Sequence, residues 1–200
     1  MFQQKMKKHK SIGNKHKDKY QNFSDSDESD TETGSLNEPT ETIAYRNLVK
    51  EIADLLYSIV LKNKKNKKAK DENSPFVHKN APSISIYDYL LRIVYYSKID
   101  KSTLIMSLIY IDKICLKKDI ILTKYNVHRI LFSSILIAIK YNEDKIYDNL
   151  FYSKVAGISL KEINILENKF LKIIDFDLFI SKEVYERYYN YLNNDIKLSN

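Results

Sequence analysis

Between Thr40 and Leu192 the apolar positions recur every three or four residues, the period of an α-helix with one face turned towards a core. Tyr45, Leu48, Val49, Ile52, Leu55, Leu56, Ile59 and Val60 predict a helix over Thr42–Leu61, with Pro39 at its entry and Thr40 or Thr42 as its cap. A second helix, from Ser85 to about Ser97, places Ile86, Tyr89, Leu90, Ile93 and Val94 inside. Asp100 or Ser102 is suited to cap a third, which carries Leu104, Ile105, Leu108, Ile109, Ile111 and Cys115. The most apolar stretch runs from about Lys124 to Asn142 and is uncharged from Ile130 to Ile139, so it is the expected centre. A short helix over about Asn149–Ala156 stops at Gly157, where left-handed dihedrals are tolerated. Ser159 and Glu162 read as a capping box for the next, whose inner face holds Ile163, Leu166, Phe170, Leu171 and Ile174. A last helix covers about Lys182–Leu192. The expected fold class is all-α: a five-helix bundle around a central helix, with flanking N- and C-terminal helices.

The expected organisation is a disordered charged tail over 1–38, an N-terminal helix over 40–61, a basic loop and connector over 62–81, and the bundle with its C-terminal helix over 82–192. Three glycines and three prolines in 200 residues agree with long helices rather than a turn-rich β fold. One cysteine excludes a disulfide framework and a thiolate metal cluster, which points to a reducing compartment; Cys115 is expected to pack as a small apolar residue. No apolar segment follows the lysine-rich start, and the longest uncharged runs, 102–111 and 130–139, are far short of the roughly 20 residues a membrane span needs. The expectation is a soluble intracellular protein of the nucleus or cytoplasm, with no membrane partner.

The net charge of +7 changes this picture little once it is located. Residues 1–20 carry seven Lys or Arg against one acid, and 21–41 carry seven acids and no base. Six lysines stand in the nine residues Lys62–Lys70, whose "KKAK" is a candidate nuclear import signal. From 73 onward 18 bases face 14 acids, too even a balance for a dedicated nucleic-acid surface. No direct nucleic-acid partner is therefore expected. The three glycines are isolated, so no loop cradles a phosphate, and the four histidines lack metal-ligand spacing. No carboxylate pair sits in an apolar setting beside a nucleophile. Neither catalytic residues, nor a metal, nor a cofactor are expected. Two ions do stand out on apolar faces: Lys140 directly after the run ending at Ile139, and Glu167 between Leu166 and Phe170. An ion half withdrawn from water costs several kcal/mol unless paired and hydrogen-bonded.

The segments "ISIYDYLLRI", "LIYIDK", "LTKYNVHRILFSSILIAIKYNED", "NLFYSKVAGIS" and "EINILENKFL" in this order resemble the cyclin box, specifically that of the short single-box P-type (phosphate-pathway-like) and U-type cyclins. The resemblance covers Pro82 to about Leu192. It implies a regulatory subunit, not an enzyme, whose partner is a cyclin-dependent kinase catalytic subunit, with protein substrates as further possible partners. Such a subunit packs beside the kinase's αC helix, moves it inward and opens the activation segment. The resemblance puts the family's functional lysine on Lys140 ("IAIK") and its glutamate on Glu167 ("NILE"), both bonding kinase backbone. It implies that Leu136, Ile137 and Phe170 are shared between core and interface. Arg129 is a candidate for an acidic or phosphorylated group on the activation segment, and Asp144 for a kinase or substrate contact. Arg92 and Asp112 are expected to pair internally. The Met-Arg-Ala-Ile-Leu docking run of mitotic cyclins is missing, and Lys113 stands where arginine is usual. A cyclin-fold scaffold that binds a kinase without activating it, or a transcription-factor-like adaptor, is the alternative.

Overall fold

The computed structural model describes residues 40–65, 74–117 and 120–197. The expected disordered tail over 1–38 and most of the lysine-rich loop lie outside these residues. Seven α-helices and no strand occur among the described residues: α1 Thr40–Lys62, α2 Ile86–Ser97, α3 Lys101–Lys117, α4 Val127–Asn142, α5 Asn149–Ala156, α6 Leu160–Ile173 and α7 Lys182–Lys197. The fold class is all-α, as expected.

Helix α4 is the centre. Every residue from Val127 to Ile139 is buried except Arg129. Helix α3 is nearly as enclosed, with Thr103–Asp112, Ile114 and Cys115 all buried, and the two pack against each other over most of their length. Each fully buried leucine or isoleucine contributes about 1.5–3 kcal/mol. Polar residues survive in this interior by returning their hydroxyls to their own helix. Ser107, Ser133 and Ser134 donate to the carbonyls of Leu104, Arg129 and Leu131, each at 2.7 Å. Burial pushes the Cys115 thiol up to about 12, so it is an apolar filler.

Helices α2 and α7 flank α1, while α6 lies on α4 and α5 on α2 and α6. Specific polar contacts fix these placements. Tyr45 of α1 donates to Ile99 O at 2.5 Å, and Tyr188 of α7 donates to the buried Asp112 carboxylate at 2.8 Å. Arg92 does not pair with Asp112: its guanidinium lies 5.3 Å from the centre of the Tyr89 ring. Lys113, the position where arginine was expected, reaches the α6–α7 turn. Its ammonium donates to Asp177 O, Asp177 Oδ2 and Phe179 O, all at 2.9 Å. Three separate acceptors suit a compact ammonium better than a planar fork. In that turn Asp175 and Phe176 both have φ 55°, a left-handed pair braced by Lys117 on Asp175.

Candidate functional site

The C-terminal end of α4 is held by a polar staple to the start of α3. Glu143 accepts from Asp100 N at 2.9 Å and from the Thr103 hydroxyl at 2.5 Å, while Asn142 donates to Thr103 Oγ1 at 2.8 Å. Asp100, one of the two residues suited to cap α3, thus gives its backbone N–H to the carboxylate that follows the end of α4. The staple fixes the last turn of α4, and with it Lys140. Beyond it, residues 143–148 form an ordered bridge to α5. Tyr152 accepts from Tyr147 N at 3.2 Å, Asp148 caps α5 by accepting from Phe151 N at 2.8 Å, and Tyr147 stacks on Phe151 at 4.1 Å.

Lys140 and Glu167, 27 positions apart, meet on this rim. Lys140 Nζ lies 2.6 Å from Glu167 Oε1, with the side chains 31% and 17% exposed. Both heads are therefore open to a partner on one side. Glu167 is also held from behind: Asn149 Nδ2 donates to its Oε2 at 2.8 Å and to Asn164 Oδ1 at 2.7 Å. A carboxylate only accepts, so the amide must turn its NH2 inward, and Asn149 Oδ1 is left buried with no partner. In the segment that follows Lys140, Tyr141, Ile146, Tyr147 and Leu150 are each about half exposed, interspersed with exposed Asp144, Lys145 and Asp148.

Leu136 and Phe170 are fully buried and Ile137 is 2% exposed, which corrects the expectation that they are shared with an interface. On a helix packed on every side, the residues next to Lys140 in the chain face the core; Phe170 meets Phe76 edge to face at 6.2 Å. Arg129 is engaged within the chain. Its Nη1 donates to Pro75 O at 2.8 Å and Val77 O at 3.1 Å, and its Nη2 pairs with Glu162. Glu162 therefore supplies only half of the expected capping box: its N–H is received by Ser159 at 3.2 Å, but its carboxylate goes to Arg129. The fork clasps the connector before α2 onto the start of α4, and Phe76 is buried beneath it. At 1.5 Å per residue, Arg129 and Lys140 stand about 16 Å apart along α4.

The Cyclin family model matches residues 9–178. The chain belongs to the cyclin family. Among its relatives are the U-type cyclin Cyclin-U4-1 of Arabidopsis thaliana, 35% identical over 118 residues, which are 58% of either chain. Cyclin-P3-1 of Oryza sativa subsp. japonica is 36% identical over 121 residues, 60% of this chain and 51% of the relative. PHO85 cyclin-7 of Saccharomyces cerevisiae is 36% identical over 129 residues, 58% of this chain and 45% of the relative. This cyclin thus spans about half the length of the curated relatives it matches, and its likeness is to the P-type and U-type group. Its bundle is the cyclin-box fold. Among the described residues no group of histidine, cysteine or carboxylate is placed to hold a metal ion, and no helix is long and apolar enough to cross a membrane. Of the rim, Asn149, Asn164, Ile146, Tyr147 and Leu150 were missed in the sequence. The sequence offered a partial signal for Asn149: it opens the short helix expected over about Asn149–Ala156, next in the chain to the one that bears Glu167.

Proposed function

We propose that this cyclin is the regulatory subunit of a cyclin-dependent kinase and that the Lys140–Glu167 rim is where the kinase docks. The observation that carries the proposal is the convergence of these two ions at 2.6 Å, partly exposed, with half-exposed apolar side chains in the segment that follows Lys140. A lysine offers three donors and a carboxylate several acceptor sites, so each has capacity left for a backbone carbonyl or N–H of the partner. Ile146, Tyr147 and Leu150 supply the apolar area, the composition expected at the heart of an interface. Asp144 adds a negative charge at its edge. The docked surface holds the kinase's αC helix inward, which completes the kinase's own Lys–Glu pair and opens its activation segment. The cyclin contributes no reacting group.

The test is affinity measurement with purified candidate kinases, together with phosphorylation of a peptide substrate. Lys140→Ala and Glu167→Ala are each expected to cost about 2–5 kcal/mol of binding, because truncating one member leaves the other buried against the partner unmatched. Tyr147→Ala is expected to weaken binding through lost apolar contact. Kinase binding and activation unchanged in both charge variants would sink the assignment. Binding retained with no gain in phosphorylation would mark a scaffold instead.

A further inference from the structure

At the opposite end of α4 from the docking rim, a cavity of about 240 Å³ lies between α2, α4, the end of α5 and the connector before α2. Its polar lining comprises His78, Tyr89, Arg92, His128, Arg129 and the Gly157 backbone. Three of these side chains carry a buried nitrogen without a hydrogen-bond partner: Arg92 Nε, His128 Nδ1 and Arg129 Nε. Buried polar nitrogens are almost always satisfied, and leaving one unmet costs about 1–3 kcal/mol. All three belong to side chains that line one cavity, which gives it a basic wall with unused hydrogen-bonding capacity.

The charges specify which ligand suits it. Arg129 is balanced by Glu162, but Arg92 has no carboxylate partner among the described residues. Its position is set by Tyr89 beneath it and by Gly157, where a Cβ would come within 3.3 Å of Nη2. His128 is 7% exposed and rests edge to face on Tyr89 at 5.2 Å. Its Nε2 is 3.0 Å from Ile84 O, so that nitrogen carries the proton and Nδ1 has no hydrogen-bond partner within the chain. One unbalanced guanidinium, two imidazoles and the Nε of a second guanidinium suit an oxyanion with several lone pairs and a planar-fork match. We propose that this cavity binds a phosphoryl oxyanion, with Arg92 and His128 as its principal donors and His78 and Arg129 Nε completing its shell.

Proton linkage follows. Burial holds His128 below the usual histidine range, and burial and then the nearby Arg129 charge do the same for His78. Both imidazoles are neutral at pH 7 without the anion, and His128 Nδ1 becomes a donor only when protonated. Anion binding therefore takes up a proton, and affinity rises as pH falls. The groups facing His128 are Tyr89 and Arg92 from α2, His78 from the connector, Arg129 on α4 and, through it, Glu162 from α6. From α5 only Ala156 and Gly157 reach the cavity wall.

The full chain, without kinase, is titrated calorimetrically with inorganic phosphate, sulfate and O-phosphoserine at ionic strength held constant with potassium chloride. Saturable one-to-one phosphate binding is expected. Sulfate, which does not itself titrate between pH 8 and 6, should bind more tightly at the lower pH with uptake of a proton. Arg92→Gln and His128→Gln should each weaken phosphate binding by about tenfold, and His128→Gln should also abolish most of the pH dependence. Circular dichroism checks that each variant folds, and either one suffices if the other does not. Binding of phosphate without phosphoserine identifies a free ion, whereas binding of both identifies a phosphorylated side chain or small ester. No saturation through the millimolar range, or equal affinity in the folded variants, would overturn the proposal. Because the kinase is absent throughout, neither result bears on the docking rim.

Discussion

At the scale of single residues, Lys140 and Glu167 show why an ion ends an apolar helix face. Each is the other's counter-ion, and the pair sits where water still reaches it. A pair that exposed contributes little to folding, about 0–1 kcal/mol, since solvent screens its Coulomb attraction and holding two long side chains costs entropy. The consequence is a separation of effects. Lys140→Ala is expected to move the unfolding free energy of the free chain by less than about 1 kcal/mol in urea titration, while removing several times that from kinase binding. A loss of stability as large as the loss of affinity would mean that the lysine is a structural residue whose binding defect is secondary. The residue types announced themselves in the sequence because charge on an apolar face is conspicuous. Their neighbours did not. Leu136, Ile137 and Phe170 occupy helix positions that spacing marks as inward, and spacing does not say whether inward means core or partner.

At the scale of helices, the periodic pattern located α2, α5 and α6 within a residue or two, because caps frame them: Ser85, Asp148 and Ser159 each accept a backbone N–H of the following turn. Helix α7 runs on to Lys197, past the last apolar position that marked its expected end at Leu192. What spacing could not convey is which long-range partner satisfies a polar side chain. Glu162 bonds Arg129 rather than closing its own cap, and Arg92 passes over Asp112 for Tyr89. These choices depend on how helices cross, which no local pattern encodes. The Arg129 clasp has a measurable worth. Arg129→Gln removes the ion pair and at least one of two carbonyl bonds that hold the connector carrying Phe76. Glu162 would then keep its charge in a half-buried site. The expected cost is about 1–3 kcal/mol in unfolding free energy, with faster hydrogen exchange at His78 N, which bonds Tyr125 O at 2.8 Å. If Arg129→Gln leaves stability and exchange untouched but weakens kinase binding, the guanidinium turns outward in the complex and meets an anion there.

At the scale of the whole molecule, a long central helix has a polar feature at each end: the Lys140–Glu167 pair, our proposed docking site, after its last apolar turn, and a basic cavity beside its first. The two are separated by the most tightly packed part of the protein, so the bundle serves as a rigid spacer between them. The cavity end also makes stability depend on pH. His128 and His78 have folded pKa values below the histidine norm near 6.5, because burial penalises their charged forms. The unfolded chain therefore binds more protons than the folded one once pH drops below about 7. Their neutral forms let the fold keep its full stability above the unfolded pKa, and that stability is lost as pH falls from there towards the folded values. Each histidine contributes at most about 1.4 kcal/mol per pH unit across that window. In phosphate-free and sulfate-free buffer, urea midpoints should decline from pH 7.5 to pH 5.5, and the decline should be shallower in His128→Gln, which retains a donor for Ile84 O. Subtracting the two curves removes contributions from the carboxylates and from His9 and His16. A difference curve that is flat through this range, or that slopes the other way, would mean that His128 is protonated in the fold and that the basic end of the helix carries one more fixed charge than its geometry implies.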